Sequence, residues 1–298
     1  MNIKNVLVPT DFSLPSRMAV NYGVALARKF QGKLTLVHVL GSKPSGAHVS
    51  EADKAKVDAE HREEAIRQLW ALLVPEDQDD LDLQVVVKEG NIQKAIAATI
   101  EKEGSNIVVL GTHGLGRVGR LIIGSTTENL LRKLTIPMVT VSNAIRPMAF
   151  KRVLFATDLS EAAHRGFTFA LDMARTLQSE IVAVHTLTAA GKNKLAAQPH
   201  ELAVEEARRK LARLVAEGKF HNVKIETVLT EGSPAVQILK TAEESAADLI
   251  LIMIAAKGAV ERALIGTTAE HVVREARVPV LALPVNMTPY PGTAGEAR

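Results

Sequence analysis

"GTHGLGRVGRLIIGSTTENLL", residues 111–131, follows the apolar run "NIVVL" at 106–110 and is followed by "PMVTV" at 137–141. A short apolar run closed by glycine reads as a buried strand. "STTENLLRKL" reads as a helix opened by hydroxyl residues. Strand, glycine-rich loop, helix and strand in that order are one crossover of a parallel α/β sheet.

The loop has its own chemistry. Gly111, directly after the strand, permits a sharp turn and lets a ligand come against bare backbone, and Gly114 repeats that freedom. Gly124, Ser125, Thr126 and Thr127 then start the helix, whose first amides have no internal partner and sit at the positive end of its dipole. Such a terminus attracts phosphate. The Ser125 and Thr127 hydroxyls add donors there, and Arg117 and Arg120 lie between. A plainer reading makes Ser125 a helix N-cap and the glycines mere punctuation. Gly111 and Gly114 together with Gly124 and Ser125 favour the anion cradle. Residues 114–119 also spell G-x-G-x-x-G. A dinucleotide fingerprint, however, belongs in the first strand–helix turn, with an acidic residue about 20 positions on. Here the motif follows the fourth strand and Glu128 stands nine past Gly119, so that reading is set aside.

Working outward, the chain is written twice. "NVLVPTDFS" at 5–13 returns as "RVLFATDLS" at 152–160, and "KLTLVHVL" returns as "EIVAVHTL" with His38 and His185 in step. "IGSTTENLLRKLTIPMVTV" returns as "IGTTAEHVVREARVPVLAL". Duplication of one domain follows. Strands are expected near 3–9, 33–40, 82–88, 106–110 and 137–142, with helices near 15–30, 50–74, 91–103 and 125–134. The second copy repeats the pattern with strands near 151–157, 180–187, 223–230, 248–254 and 279–283. The expected domains are 1–145 and 146–285, joined by "SNAIRPMAFK", with a loose tail at 286–298.

Bulk properties exclude several classes. Across 298 residues, 47% hydrophobic content supports a core in each half, and 3% aromatics argues against a stacking surface for single-stranded nucleic acid. A net charge of +3 without basic clusters gives no footprint for DNA. No cysteine is present, which removes thiolate chemistry and fits a cytoplasmic location. The N-terminus enters a strand with no signal-peptide pattern, and no apolar run approaches the roughly 20 residues of a membrane span. Nine histidines without ligand spacing read as core or surface residues, His113 excepted because of its loop.

G-T-H-G, nine residues, then G-S resembles the G-x-x-G-x₉-G-[ST] signature of ATP-binding members of the universal stress protein family. "VLVPTDFS" resembles that family's first strand and turn, and "TENLLRKLTIPMVTV" its last helix and strand. The likeness covers the whole chain as a tandem pair. It implies two doubly wound, open, parallel five-stranded sheets of order 3-2-1-4-5 with helices on both faces. It also implies an adenine nucleotide, ATP, between the first and fourth strands of the first repeat. Pro9, Thr10 and Asp11 would line the adenosine end and Val39 would contact adenine. Gly111, His113 and Gly114 would wrap ribose and phosphates, Leu110 is a further cofactor-binding candidate, and Arg117 could swing over the anion or stay solvated. Gly124, Ser125, Thr126 and Thr127 would hold the phosphate tail, and any Mg or Mn would ride on the phosphates. Asp11 has a second reading as a turn-forming or capping residue.

The second copy departs from the signature. Met253 stands in place of Gly111, Ile254 and Ala255 replace Thr112 and His113, Ala256 replaces Gly114, and Pro9 has become Ala156. A methionine at the strand end is expected to fill space that a ligand's approach to the backbone requires. The second repeat is therefore expected to bind ATP poorly and to serve as a structural partner. The fifth strands, apolar and uncharged, are expected to pair with one another inside the chain, with a homodimer as a further option. Two functions stay in view: a nucleotide-binding regulatory stress protein, and a slow ATPase or nucleotidyl-transfer enzyme. Sensing of another small ligand by the second repeat is a further alternative. No residue stands out as a catalytic base, which favours the binding protein.

Overall fold

The computed structural model describes residues 3–41, 51–112, 123–133, 135–142, 149–188, 197–254 and 266–287. The expected tail from residue 288, most of the linker, and His113, Gly114 and Arg117 lie outside them. Strands and helices alternate in an α/β fold that divides into two compact units, residues 2–130 and 131–298.

The first unit contains β1 (Asn5–Pro9), α1 (Leu14–Phe30), β2 (Lys33–Leu40), α2 (Glu51–Trp70), α3 (Pro75–Asp80), β3 (Leu83–Glu89), α4 (Ile92–Glu103) and β4 (Ile107–Gly111). Its strands run β3-β2-β1-β4, all parallel. β1 is buried along its whole length, as a strand covered on both faces must be, which is why "NVLVP" shows no polar alternation. Gly23 of α1 seats against the Val8 and Leu34 side chains, so this helix lies close on the sheet.

The helix expected over 50–74 stops at Trp70, and α3 starts at Pro75. Proline lacks an amide proton and clashes with the preceding turn, so it opens α3 instead of continuing α2. Ala65, Leu69 and Leu73 are buried as their spacing predicts, whereas Trp70 is only half-buried.

α5 (Ser125–Lys133) crosses the division. The second unit then holds β5 (Met138–Val141), β6 (Arg152–Ala156), α6 (Glu161–Leu177), β7 (Glu180–Leu187), α7 (Ala197–Phe220), β8 (Ile225–Glu231), α8 (Pro234–Glu244), β9 (Leu249–Ile254), α9 (Thr267–Glu275) and β10 (Val280–Pro284). Its strands run β5-β10-β9-β6-β7-β8. All are parallel except β5, which pairs antiparallel with β10 in the register Val280 to Thr140, Leu281 to Val139 and Ala282 to Met138. The expected pairing of the two fifth strands is thus present. It also explains why the compact units part inside α5 and not at the linker: β5 belongs to the first repeat by sequence and to the second unit by its contacts. Thr140 Oγ1 adds a hydrogen bond to the Val280 carbonyl at 3.3 Å.

Helix termini follow local chemistry in both repeats. Ser13 and Ser160 cap α1 and α6, and Gln31 and Gln178 close them in the left-handed conformation, with φ of 52° and 56°. Asn91 caps α4, and Gly104 ends it at φ 62°. Among the described residues, no helix is long and apolar enough to cross a membrane.

Val139 is 4% exposed within the β5–β10 ladder. Val139→Asp would bury an uncompensated charge there and is expected to cost about 3–5 kcal/mol in urea unfolding. An unchanged midpoint would show that the ladder is dispensable.

Candidate functional site

The turn after β1 is shaped by its own side chains. Asp11 Oδ1 accepts from the Ser13 amide at 3.1 Å, and Thr10 Oγ1 accepts from the Phe12 amide at 3.1 Å. This network holds Phe12 at φ 64°, a left-handed conformation uncommon for a residue with a bulky side chain. The second repeat builds the same turn from Thr157, Asp158, Leu159 at φ 59° and Ser160. Both repeats also tie the turn to the second strand through an imidazole. His38 Nδ1 lies 2.8 Å from the Thr10 carbonyl, and His185 Nδ1 lies 2.8 Å from the Thr157 carbonyl. A carbonyl only accepts, so Nδ1 carries the proton in each ring.

The end of β4 comes hard against the first turn of α1. A Cβ added at Gly111 would lie 2.8 Å from the Pro15 carbonyl carbon and 2.9 Å from the Ser16 nitrogen. The glycine is therefore required by the protein's own helix, in addition to any need of a ligand. α5 is anchored to the same strand end. Thr127 Oγ1 donates to the Gly111 carbonyl at 2.8 Å, and the Gly124 amide donates to the Thr112 carbonyl at 2.7 Å. The first intrahelical bond runs from the Glu128 amide to the Gly124 carbonyl at 2.9 Å, so the amides of Ser125, Thr126 and Thr127 precede it.

Between these parts lies a cavity of about 270 Å³. Its apolar lining is Pro9, Val37, Val39 and Leu110 from the sheet, and Ile92 and Ile96 from the first turns of α4. Its polar lining is Thr10, Asp11, Ser16, Gly111 and the residues 124–127. His38 also borders it. Ile92 remains 43% exposed, an apolar side chain facing an open slot.

Ten of the residues singled out from the sequence meet here: Pro9, Thr10, Asp11, Val39, Leu110, Gly111, Gly124, Ser125, Thr126 and Thr127. The Gly124 amide and the Thr127 hydroxyl proton are engaged by carbonyls at the end of β4, so they help to fix the helix start. Asp11 fulfils its turn-forming reading and also borders the cavity. Ser16, Val37, His38, Ile92 and Ile96 escaped the sequence reading. The signal for the isoleucines was present, as an i, i+4 apolar pair opening α4 on the side of the sheet that carries Val39. Among the described residues, no group of three or more His, Cys, Asp or Glu side chains could hold a metal ion.

In the second repeat, Met253 occupies the register of Gly111. Its side chain packs onto α6 at Gly166, where the space a Cβ would need is filled by the Met253 sulfur. The thioether is thus directed toward the helix and accommodated by a glycine. Its bulk is taken up at the sheet–helix contact. Ser16 has Ala163 as its counterpart, Val39 has Thr186, Ile92 has Pro234 and Thr127 has Ala269.

A family model described as "Universal stress protein family" matches residues 2–142 and 149–284. A universal stress protein of Mycolicibacterium smegmatis is 25% identical over 287 residues, covering 93% of this chain and 96% of its own length. The crystal structure of a universal stress protein from Archaeoglobus fulgidus superposes on 96% of this chain and 100% of its own, with a TM-score of 0.70 and 21% identity. A shorter universal stress protein of Archaeoglobus fulgidus, solved in complex with dAMP, is 25% identical and covers 45% of this chain and 98% of its own, with a TM-score of 0.35.

The Gly111 contact carries a prediction. Gly111→Ala forces the backbone of α1 to move and is expected to cost about 1–3 kcal/mol in urea unfolding. An unchanged midpoint would show that the first turn of α1 yields freely.

Proposed function

Because the chain belongs to the universal stress protein family, and its first repeat joins an apolar slot to a helix N-terminus, we propose that it is a regulatory stress protein that binds ATP in that repeat. The second repeat acts as its structural partner. The observation that carries this reading is the composition of the cavity, which combines apolar side chains of the sheet and α4 with hydroxyl residues and the start of α5. A nucleotide has that same combination. Its base is flat and largely apolar on its faces, suited to the slot between Ile92 and Ile96 on one side and Pro9, Val39 and Leu110 on the other. Its phosphates are anions, suited to the amides of Ser125, Thr126 and Thr127 at the positive end of α5. A divalent ion would enter with the phosphates and neutralise charge that the helix terminus alone does not.

We favour a binding role over hydrolysis because Asp11 and His38, the titratable groups that line the cavity among the described residues, both have structural duties in the turn. Asp11 Oδ1 holds the Ser13 amide and hydroxyl, and His38 Nδ1 holds the Thr10 carbonyl. Each is built into the turn that shapes the site.

Two measurements test the reading. Ser125→Asp sets a carboxylate against the phosphates and is expected to weaken ATP at least about tenfold in calorimetry, with the melting temperature unchanged. Thr267→Asp, the same change at the start of α9, is expected to leave ATP affinity unaltered; a matching loss there would move nucleotide binding into the second repeat. In a single-turnover experiment with labelled ATP, bound nucleotide is expected to stay intact, and stoichiometric phosphate release would establish an ATPase instead.

A further inference from the structure

α5 is a short helix that depends on its attachments. It runs for nine residues, and a helix of that length is marginal on its own. At its start, the Thr127 hydroxyl donates to the Gly111 carbonyl at 2.8 Å and the Gly124 amide to the Thr112 carbonyl at 2.7 Å. The second repeat has Ala269 where Thr127 stands, and a methyl group cannot make the first of these bonds. Further along α5, Leu130 and Leu131 are buried.

Residues 134–137 lead directly from α5 to β5, which is four residues long and buried throughout. A strand this short is also held by its neighbours. Its attachments include the antiparallel register with β10 and the Thr140 Oγ1 bond to the Val280 carbonyl at 3.3 Å. Just past the strand, Ser142 Oγ donates to the Ala276 carbonyl at the end of α9, at 3.1 Å. The helix is thus tied down at the cavity, and the strand is tied down in the second repeat. A connection of residues 134–137 leaves little slack between them, since an extended chain spans at most about 3.6 Å per residue. Segments joined in this way open and close as cooperative units.

The amides of Ser125, Thr126 and Thr127 precede the first intrahelical bond, and these residues line the cavity. They are presented together only while the first turn of α5 is wound. A ligand that holds them therefore binds the closed segment and not the open one, and it suppresses every opening that unwinds the helix start. We propose that α5 and β5 open as one segment, so that a nucleotide at the start of α5 keeps the β5–β10 ladder shut and its release lets the ladder open. This rests on the nucleotide reading above and gives that site a regulatory output, the accessibility of the strand edge that joins the repeats.

The test is amide hydrogen exchange of the full chain, without ATP and with ATP at about a hundred times its dissociation constant. Peptides from α5 and from β5 are expected to slow by one common factor, about a hundredfold at that occupancy. Peptides from β8, the last strand in the second repeat's order, are expected to exchange as before. Slowing in α5 and in the turn after β1 that β5 does not match would overturn the inference and leave nucleotide binding standing. Equal slowing in β8 would show that ATP stabilises the whole molecule and would overturn it as well. Unchanged exchange in every peptide would overturn the nucleotide reading itself, and this inference with it.

Discussion

The end of β4 and the first turn of α1 share a space that only a bare Cα fits. Three joins meet at Gly111. Its missing side chain lets Pro15 and Ser16 approach, its carbonyl receives the Thr127 hydroxyl, and its neighbour Thr112 receives the Gly124 amide. Two helices are thereby fixed to one strand terminus from opposite directions in sequence. The cavity is the gap left between those helix starts and the first turns of α4.

Divergence between the repeats separates what belongs to the fold from what belongs to the cavity. Both copies keep the Thr-Asp turn, the left-handed residue within it, the serine cap and the imidazole tie to the preceding carbonyl. These features persist where the strand end has changed and so serve the turn itself. Gly111, Ser16, Ile92 and Thr127 have no like-for-like counterpart in the second copy. There the methionine is received by Gly166 on α6, so close packing of helix on strand is kept by exchanging which element supplies the glycine.

The sequence made the architecture readable where local and global preferences agree. Continuous apolar runs such as "NVLVP" and "LILIMI" have one good use, a strand covered on both faces, and the structure uses them so. The break between α2 and α3 was written in Pro75 and was passed over because the apolar spacing runs on to Leu73. In the cavity, Gly111, Gly124 and Ser125 were legible because glycine and hydroxyl residues contradict the propensity of the elements they border. Ile92 and Ile96 looked like any amphipathic helix start, and Ser16 looked like one more polar residue near a cap. The bonds from Thr127 to Gly111 and from Gly124 to Thr112 span more than ten residues, and no local pattern announces them.

The antiparallel ladder of β5 on β10 has a consequence for biosynthesis. Thr140 meets Val280, a partner made 140 residues later. A ribosome adding roughly 5–20 residues per second leaves that edge of β5 waiting for many seconds while its partner is still being translated. The strand is apolar and buried in the finished protein, so during that interval it is the place where a nascent chain would adhere to its neighbours or be shielded by a chaperone.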